Sequence, residues 1–369
     1  MITTKNKHLS KSLKISTLSK DTLFELLFSV LIILIMTIII INPKRYTAGT
    51  IEGLKLFVFS VLPGLFPFML LTKILTELGT VVKFSNKLNK PANFLFKTPG
   101  ISLYAFFMSI LSGYPIGAKI ISELYSKKLI TKEDAKKMSV FCTTSGPIFV
   151  IGAIGISMFN SFKIGIIIYA SHIISSILLG ICYGHLKKGT FFSHNVKLVE
   201  SKKENIFGEC VIQTINSLFV VGAYITIFYL IAELFSGLGI FKIITTCLNP
   251  LTNILNLNKS TVDGFIYGIL EVTRGAKTLS ASKSIVSICA CSGILSFSGI
   301  SIIMQSMVFL KQAKIKMHNF VCAKVMHMIF SILICLCLCL VFFWNRWSNA
   351  MNCIFKFISV SFYDSKVLV

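Results

Sequence analysis

Long uncharged runs recur along this chain, and no other feature constrains its fold as strongly. Thr22 to Ile41 holds a single charged residue, Glu25. About twenty apolar residues are what one helix needs to cross a bilayer. Leu56 to Thr72, Thr98 to Ala118, Met138 to Phe162 and Ile164 to Leu186 are further uncharged stretches, and Cys210 to Ala232, Ser284 to Leu310 and Val325 to Asn345 follow in the second half. Charged residues make up only 14% of the chain, whereas a soluble domain carries roughly 25%. An apolar content of 54% excludes a disordered chain. The expectation is an all-α, polytopic membrane protein whose partner is the lipid bilayer, with about 8–10 hydrophobic segments. The formal charge of +23 then reflects basic loops against anionic lipid rather than nucleic-acid binding.

Composition shifts divide the chain. Residues 1–50 form a basic N-terminus and a first transmembrane helix, and residues 51–184 a first unit. Residues 185–208 form a lysine-rich linker, residues 209–345 a second unit and residues 346–369 a tail. Five lysines in the first twenty residues favour a cytoplasmic N-terminus.

The two units share landmarks in order. Gly117-Ala118-Lys119 recurs as Gly275-Ala276-Lys277, and Gly64 as Gly222, both 158 positions on. Leu88-Asn89 and Asn93 recur as Leu248-Asn249 and Asn253, 160 positions on. Ser145-Gly146 matches Ser292-Gly293 at a spacing of 147, the difference being absorbed by a polar loop that is long only in the first unit. Internal duplication with interrupted helices is a transporter pattern, with substrate held where the broken helices meet. Four apolar segments separate the two starts. If the one ending in Gly-Tyr-Pro-Ile-Gly is a re-entrant hairpin over residues 98–118, the repeats are inverted, because Pro and Gly there stop a helix.

Breaks locate candidate chemistry. Unpaired backbone in hydrocarbon persists only beside protein or a water-filled cavity. The first unit offers Tyr114 and Gly117 at one break and Thr144, Ser145 and Gly146 at another. The second offers Glu271, Thr273 and Arg274, then Ser292 and Gly293. Freed amides at such points hold anions. The competing reading is that Gly and Ser there only permit close helix packing. Glu271 and Arg274, three apart, are spaced to pair on one helix face. Lys119 and Lys277 occupy equivalent positions, and all four charges have the alternative of snorkelling to the interface. His172 and His327 read as hydrogen-bonded packing histidines before a proton relay. The 11 cysteines include no CxxC pair and read as buried thiols rather than metal ligands. No motif of a metalloprotease, α/β-hydrolase, P-loop or dinucleotide-binding protein occurs, so neither an enzyme nor a cofactor is expected, and no coupling ion is legible.

Leu111-Ser112-Gly113-Tyr114-Pro115-Ile116-Gly117-Ala118-Lys119, Cys142-Thr143-Thr144-Ser145-Gly146-Pro147 and Gly268-Ile269-Leu270-Glu271-Val272-Thr273-Arg274-Gly275 resemble segments of the YlbJ-type sporulation integral membrane proteins, which carry paired nucleoside-recognition (Gate) domains. The resemblance runs from about residue 50 to about residue 345 and covers both repeats. It implies inverted repeats and helical hairpins, distantly similar to concentrative nucleoside transporters. It implies a place in the mother-cell-derived outer forespore membrane and movement of dipicolinic acid, a planar aromatic dianion that Tyr114, Arg274, the paired lysines and broken-helix amides suit. Three readings follow: a carrier of such an anion, a carrier of a neutral nucleoside, and a non-transporting scaffold for spore assembly. A homo-oligomer is compatible with each.

Overall fold

The computed structural model describes residues 20–186, 205–254 and 257–364. The basic N-terminus before residue 20 and most of the 185–208 linker lie outside the described residues. Every regular element among the described residues is a helix, so the protein is all-α. Five helices are long and apolar enough to span a bilayer: Thr22–Ile41, Phe162–Leu186, Ile206–Gly237, Ile285–Leu310 and Met317–Phe342. The protein is thus polytopic. By chain contacts it divides into Met1–Ala48 and Gly49–Val369. The smaller unit holds α1 (Lys20–Ile41) and the start of α2 (Pro43–Leu56).

The larger unit repeats one sequence of elements. Its first half runs α3 (Leu62–Glu77), α4 (Thr80–Phe96), α5 (Ile101–Ser112), α6 (Ile116–Ser126), α7 (Lys132–Phe141), a π-helical segment Ile148–Met158, and α8 (Phe162–Leu186). The second half runs α9 (Ile206–Gly237), α10 (Ile240–Ile254), α11 (Lys259–Leu270), α12 (Val272–Leu279), α13 (Ile285–Phe297), α14 (Gly299–Leu310) and α15 (Met317–Asp364). Both halves turn from their first helix into the second on a left-handed glycine, Gly79 at φ 67° and Gly239 at φ 73°. α5 and α11 each have 12 residues. They begin 158 positions apart, the spacing of the Gly-Ala-Lys match.

α5 and α6 fold back on each other. A Cβ on Gly117 would lie 2.8 Å from Ser109 Oγ, eight residues earlier; in a continuous helix that separation is about 12 Å. A helix the length of α5 rises about 18 Å, little more than half of a ~30 Å hydrocarbon core, so neither arm is long enough to cross by itself. The hairpin therefore spans residues 98–126 rather than 98–118. The Gly-Tyr-Pro break is its tip, not its exit. α11 and α12 form the second hairpin, since a Cβ on Gly275 would lie 2.7 Å from the Gly264 carbonyl oxygen, eleven residues back. Its tip is Glu271. α4 runs at 81° to α5, with Ser85, Ala92 and Phe96 on its buried face and Lys87 and Lys90 outward, the pattern of an interfacial helix. A first hairpin that does not cross is what the inverted arrangement of the two repeats requires.

One expected break is overturned. Ser292 and Gly293 lie inside the continuous α13. A Cβ on Gly293 would meet Ile332 of α15 at 2.7 Å, so this glycine serves helix packing. The interruption of the second broken span is six residues later, where Ser298 (φ 77°) and Gly299 (φ 58°) adopt left-handed conformations. The last span also begins earlier than the apolar run indicates. α15 starts at Met317 and runs through to Asp364, past the expected tail boundary at residue 346.

Candidate functional site

The site forms at the first broken span. Pro147 has no N–H to donate, and residues 143–146 leave the helix. Their donors are met by side chains. The Thr144 amide donates to Ser109 Oγ at 2.9 Å and the Ser145 amide to His172 Nε2 at 2.9 Å. In this state those amides are therefore committed and not free for an anion. The Thr143 carbonyl accepts from Lys324 Nζ at 2.6 Å. The hairpin tip closes against the break, where a Cβ on Gly113 would lie 2.6 Å from the Gly146 nitrogen.

Lys324 brings a buried amine to the break. It sits on α15 with 2% of its surface exposed. Its ammonium faces the Tyr114 ring at 4.8 Å and the Phe320 ring at 5.5 Å. No carboxylate forms an ion pair with it among the described residues. A buried charge satisfied only by a carbonyl and two ring faces is costly and is seldom kept without a role.

Two histidines complete the core of the site. His327, one turn beyond Lys324, stacks on His172 with ring centroids 4.8 Å apart. His172 Nε2 accepts the Ser145 amide, so Nδ1 carries its proton and donates to Ser296 Oγ at 2.8 Å. His327 Nε2 lies 3.0 Å from the His172 carbonyl and so carries the proton of that ring. Its Nδ1 is then a bare acceptor, buried and without a hydrogen-bond partner. Tyr114, half-buried, packs edge-on to His172 and donates to the Leu295 carbonyl at 3.3 Å. Ser171, Ser292 and Ser331 form a hydroxyl ladder beside them, at 2.8 and 2.6 Å.

The structure brings Tyr114, Thr144, Ser145 and Gly146 together here. Gly117 lies beneath the break, its Cα against the Cys142 carbonyl, where any Cβ would collide. Ser292 reaches the site's edge through the ladder. Glu271, Thr273, Arg274 and Lys277 lie on the second hairpin instead. Glu271 does not pair with Arg274 through its side chain. It caps α12, accepting the amides of Thr273 at 3.0 Å and Arg274 at 2.7 Å, because the break frees those N–H groups. Arg274 pairs with Glu233 at 2.9 Å and stacks over Tyr267. The two equivalent lysines differ: Lys277 is exposed, whereas Lys119 is buried with its Nζ unpartnered.

Lys324 escapes sequence reading because it follows the basic stretch Lys311 to His318 and reads as loop. The available signal is its i, i+3 spacing to His327 on an extended helix. A separate group, Cys289, Cys335 and Cys339, brings three buried thiols within 4.8 Å of one another, a donor set suited to a soft metal ion.

No family model matches this chain, and no solved structure does. Among curated proteins it is similar to the sporulation integral membrane protein YlbJ of Bacillus subtilis (strain 168). The two are 24% identical over 320 residues, covering 79% of this chain and 77% of that protein. This similarity, spread over both repeats, supports the YlbJ-type resemblance and a membrane role in sporulation.

Proposed function

We propose that this protein carries a small aromatic dianion, of the dipicolinic acid class, across the membrane that surrounds the developing spore. The observation that carries the reading is Lys324, a buried ammonium beside a broken helix, with no carboxylate pairing it among the described residues. An anion displaces the Thr143 carbonyl from the ammonium and makes an ion pair there instead, in a low-dielectric site. Tyr114 and the stacked His172–His327 pair are the rings against which a planar aromatic solute would pack. The repeat architecture, with two hairpins and two interrupted spans, is that of carriers with a midplane site. The name of the Bacillus relative supplies the sporulation setting, and the outer forespore membrane is the location this reading assigns.

Proteoliposomes containing the purified protein test it. Labelled dipicolinate should accumulate and unlabelled dipicolinate should compete, while uridine should do neither. Lys324→Met should reduce uptake at least tenfold. Saturable uridine uptake without dipicolinate uptake would replace this reading with the nucleoside one, and transport of neither solute would favour the scaffold.

A further inference from the structure

We propose that the anion binds together with one proton, which is taken up on His327 Nδ1. This rests on the anion reading above. Lys324 and His327 are neighbours on one face of α15, both buried to within 2% exposure. Around them, α8 contributes His172 and Ser171, the hairpin tip Tyr114, the break the Thr143 carbonyl and α13 Ser292 and Ser296. None of these is a carboxylate. His172 is held neutral, because one ring nitrogen accepts the Ser145 amide while the other donates to Ser296.

Two cations side by side in such a medium repel strongly, so at most one of Lys324 and His327 is charged in the empty site, and in this proposal that one is Lys324. That assignment agrees with the partners. Lys324 uses its donor on Thr143, whereas His327 Nδ1 has a lone pair and no donor to fill it. A dianion reverses the balance. One carboxylate neutralises the ammonium and the second supplies charge for an imidazolium. The proton comes from water or buffer acid on the side the anion enters. The Nδ1 lone pair forms the new N–H bond, which then donates to the carboxylate, and the proton leaves when the anion does. Binding and protonation are thereby coupled reciprocally, and the apparent affinity should change by up to about tenfold per pH unit where the proton is taken up. Lys324 already occupies the broken-helix carbonyl that a mobile metal cation would use, so sodium should add nothing.

Titration calorimetry of dipicolinate into detergent-solubilised protein tests this, in two buffers of different ionisation enthalpy, at a pH where both carboxylates are ionised. Equilibrium dialysis of labelled dipicolinate gives the affinity independently. Wild type should take up about one proton per anion, with no dependence on sodium. His327→Gln keeps an N–H donor for the His172 carbonyl and should bind with uptake near zero and a flat pH dependence. Anion binding by wild type with no proton uptake overturns the proposal and leaves the anion reading standing. Uptake unchanged in His327→Gln, with the variant melting like wild type, also overturns it. Absence of dipicolinate binding by wild type removes the anion reading itself, and this proposal with it.

Discussion

Each hairpin is held to the long helix before it by an ion pair, with opposite polarity in the two halves. Lys73 and Glu233 each lie six residues before the glycine turn of their repeat. Lys73, on α3, pairs with Glu123 on the return arm of the first hairpin at 3.1 Å. Glu233, on α9, pairs with Arg274 on the return arm of the second at 2.9 Å. The long-helix partner sits at the same place in both halves, whereas the hairpin partner does not: Glu123 is the eighth residue of α6 and Arg274 the third of α12. Burial then separates the two. Lys73 is 7% exposed and also holds Glu77, which Lys127 holds in turn. Arg274 and Glu233 are each about a quarter exposed. A shared buried network resists opening, whereas a wetter pair exchanges with water at small cost. In an inverted repeat the two latches face opposite sides of the membrane, so the second hairpin is the one expected to open more readily.

Removing the buried latch should cost the most. Lys73→Met leaves half-buried Glu123 without its Lys73 partner, at a cost of about 3 kcal/mol, the lower end of the range for a buried pair. Thermal unfolding in detergent should show loss of most of the folded protein. A shift no larger than that of Arg274→Gln would erase the asymmetry. Gly117→Ala comes next. Its Cβ would drive into the Cys142 carbonyl, and backbone cannot yield as a side chain does. Overpacking of this kind costs roughly 1–3 kcal/mol or more. Gly152→Ala, with nothing within 4 Å of its Cβ, is the matched control and should be silent.

The halves also show what a sequence exposes and what it hides. Uncharged runs announce the spans, and the repeated Gly-Ala-Lys marks equivalent points of the two units, on α6 and α12, although the sequence reading ends the first hairpin there instead of starting its return arm. Register was harder. Ser145-Gly146 and Ser292-Gly293 look alike, but only the first precedes a proline. Without one, the second stays helical and its glycine packs on Ile332. Tyr114, Thr144 and Ser145 were legible as break residues. Lys324 was not, because a lysine at the end of a basic stretch reads as loop until the helix is known to begin at Met317. Partners of long charged side chains were the least legible. The i, i+3 spacing pointed Arg274 to Glu271, whereas the break turned Glu271 into a cap and left Arg274 to a residue 41 positions away.

That substitution of roles sharpens the contrast between the tips. The first tip is closed by Gly113 against Gly146, the second by the Glu271 carboxylate on two amides. Glu271→Ala removes a cap worth about 0.5–2 kcal/mol, and Glu271→Asn or Glu271→Asp should recover part of it, since short acceptors serve the same position. Hydrogen exchange should rise in α12 and stay unchanged in α6. Equal rises in both hairpins would mean that their tips are not independent.

The smallest effect separates a latch from a binding residue. Arg274 is committed twice, to Glu233 and to the Tyr267 and Phe241 ring faces at 5.3 and 5.9 Å. A guanidinium so engaged and a quarter exposed contributes about 0.5–1 kcal/mol through the ion pair, with a similar amount from the rings. Arg274→Gln should therefore lower stability modestly and more at low salt than at high, where the pair is already screened. Glu233→Gln should cost about half as much, since the ring contacts stay, and the double variant should cost little more than Arg274→Gln alone, because the two share one ion pair. Lys277→Gln, on the same arm but exposed, should stay within about 0.5 kcal/mol of wild type. Dipicolinate affinity should remain within about threefold in all four, a change of under 1 kcal/mol. A latch that loosens alters the rate of opening and leaves the anion's own contacts in place. If Arg274→Gln instead weakened dipicolinate binding tenfold or more while its melting temperature held, the guanidinium would be a ligand of the anion, and the two hairpins would share the site rather than dividing into one that binds and one that opens.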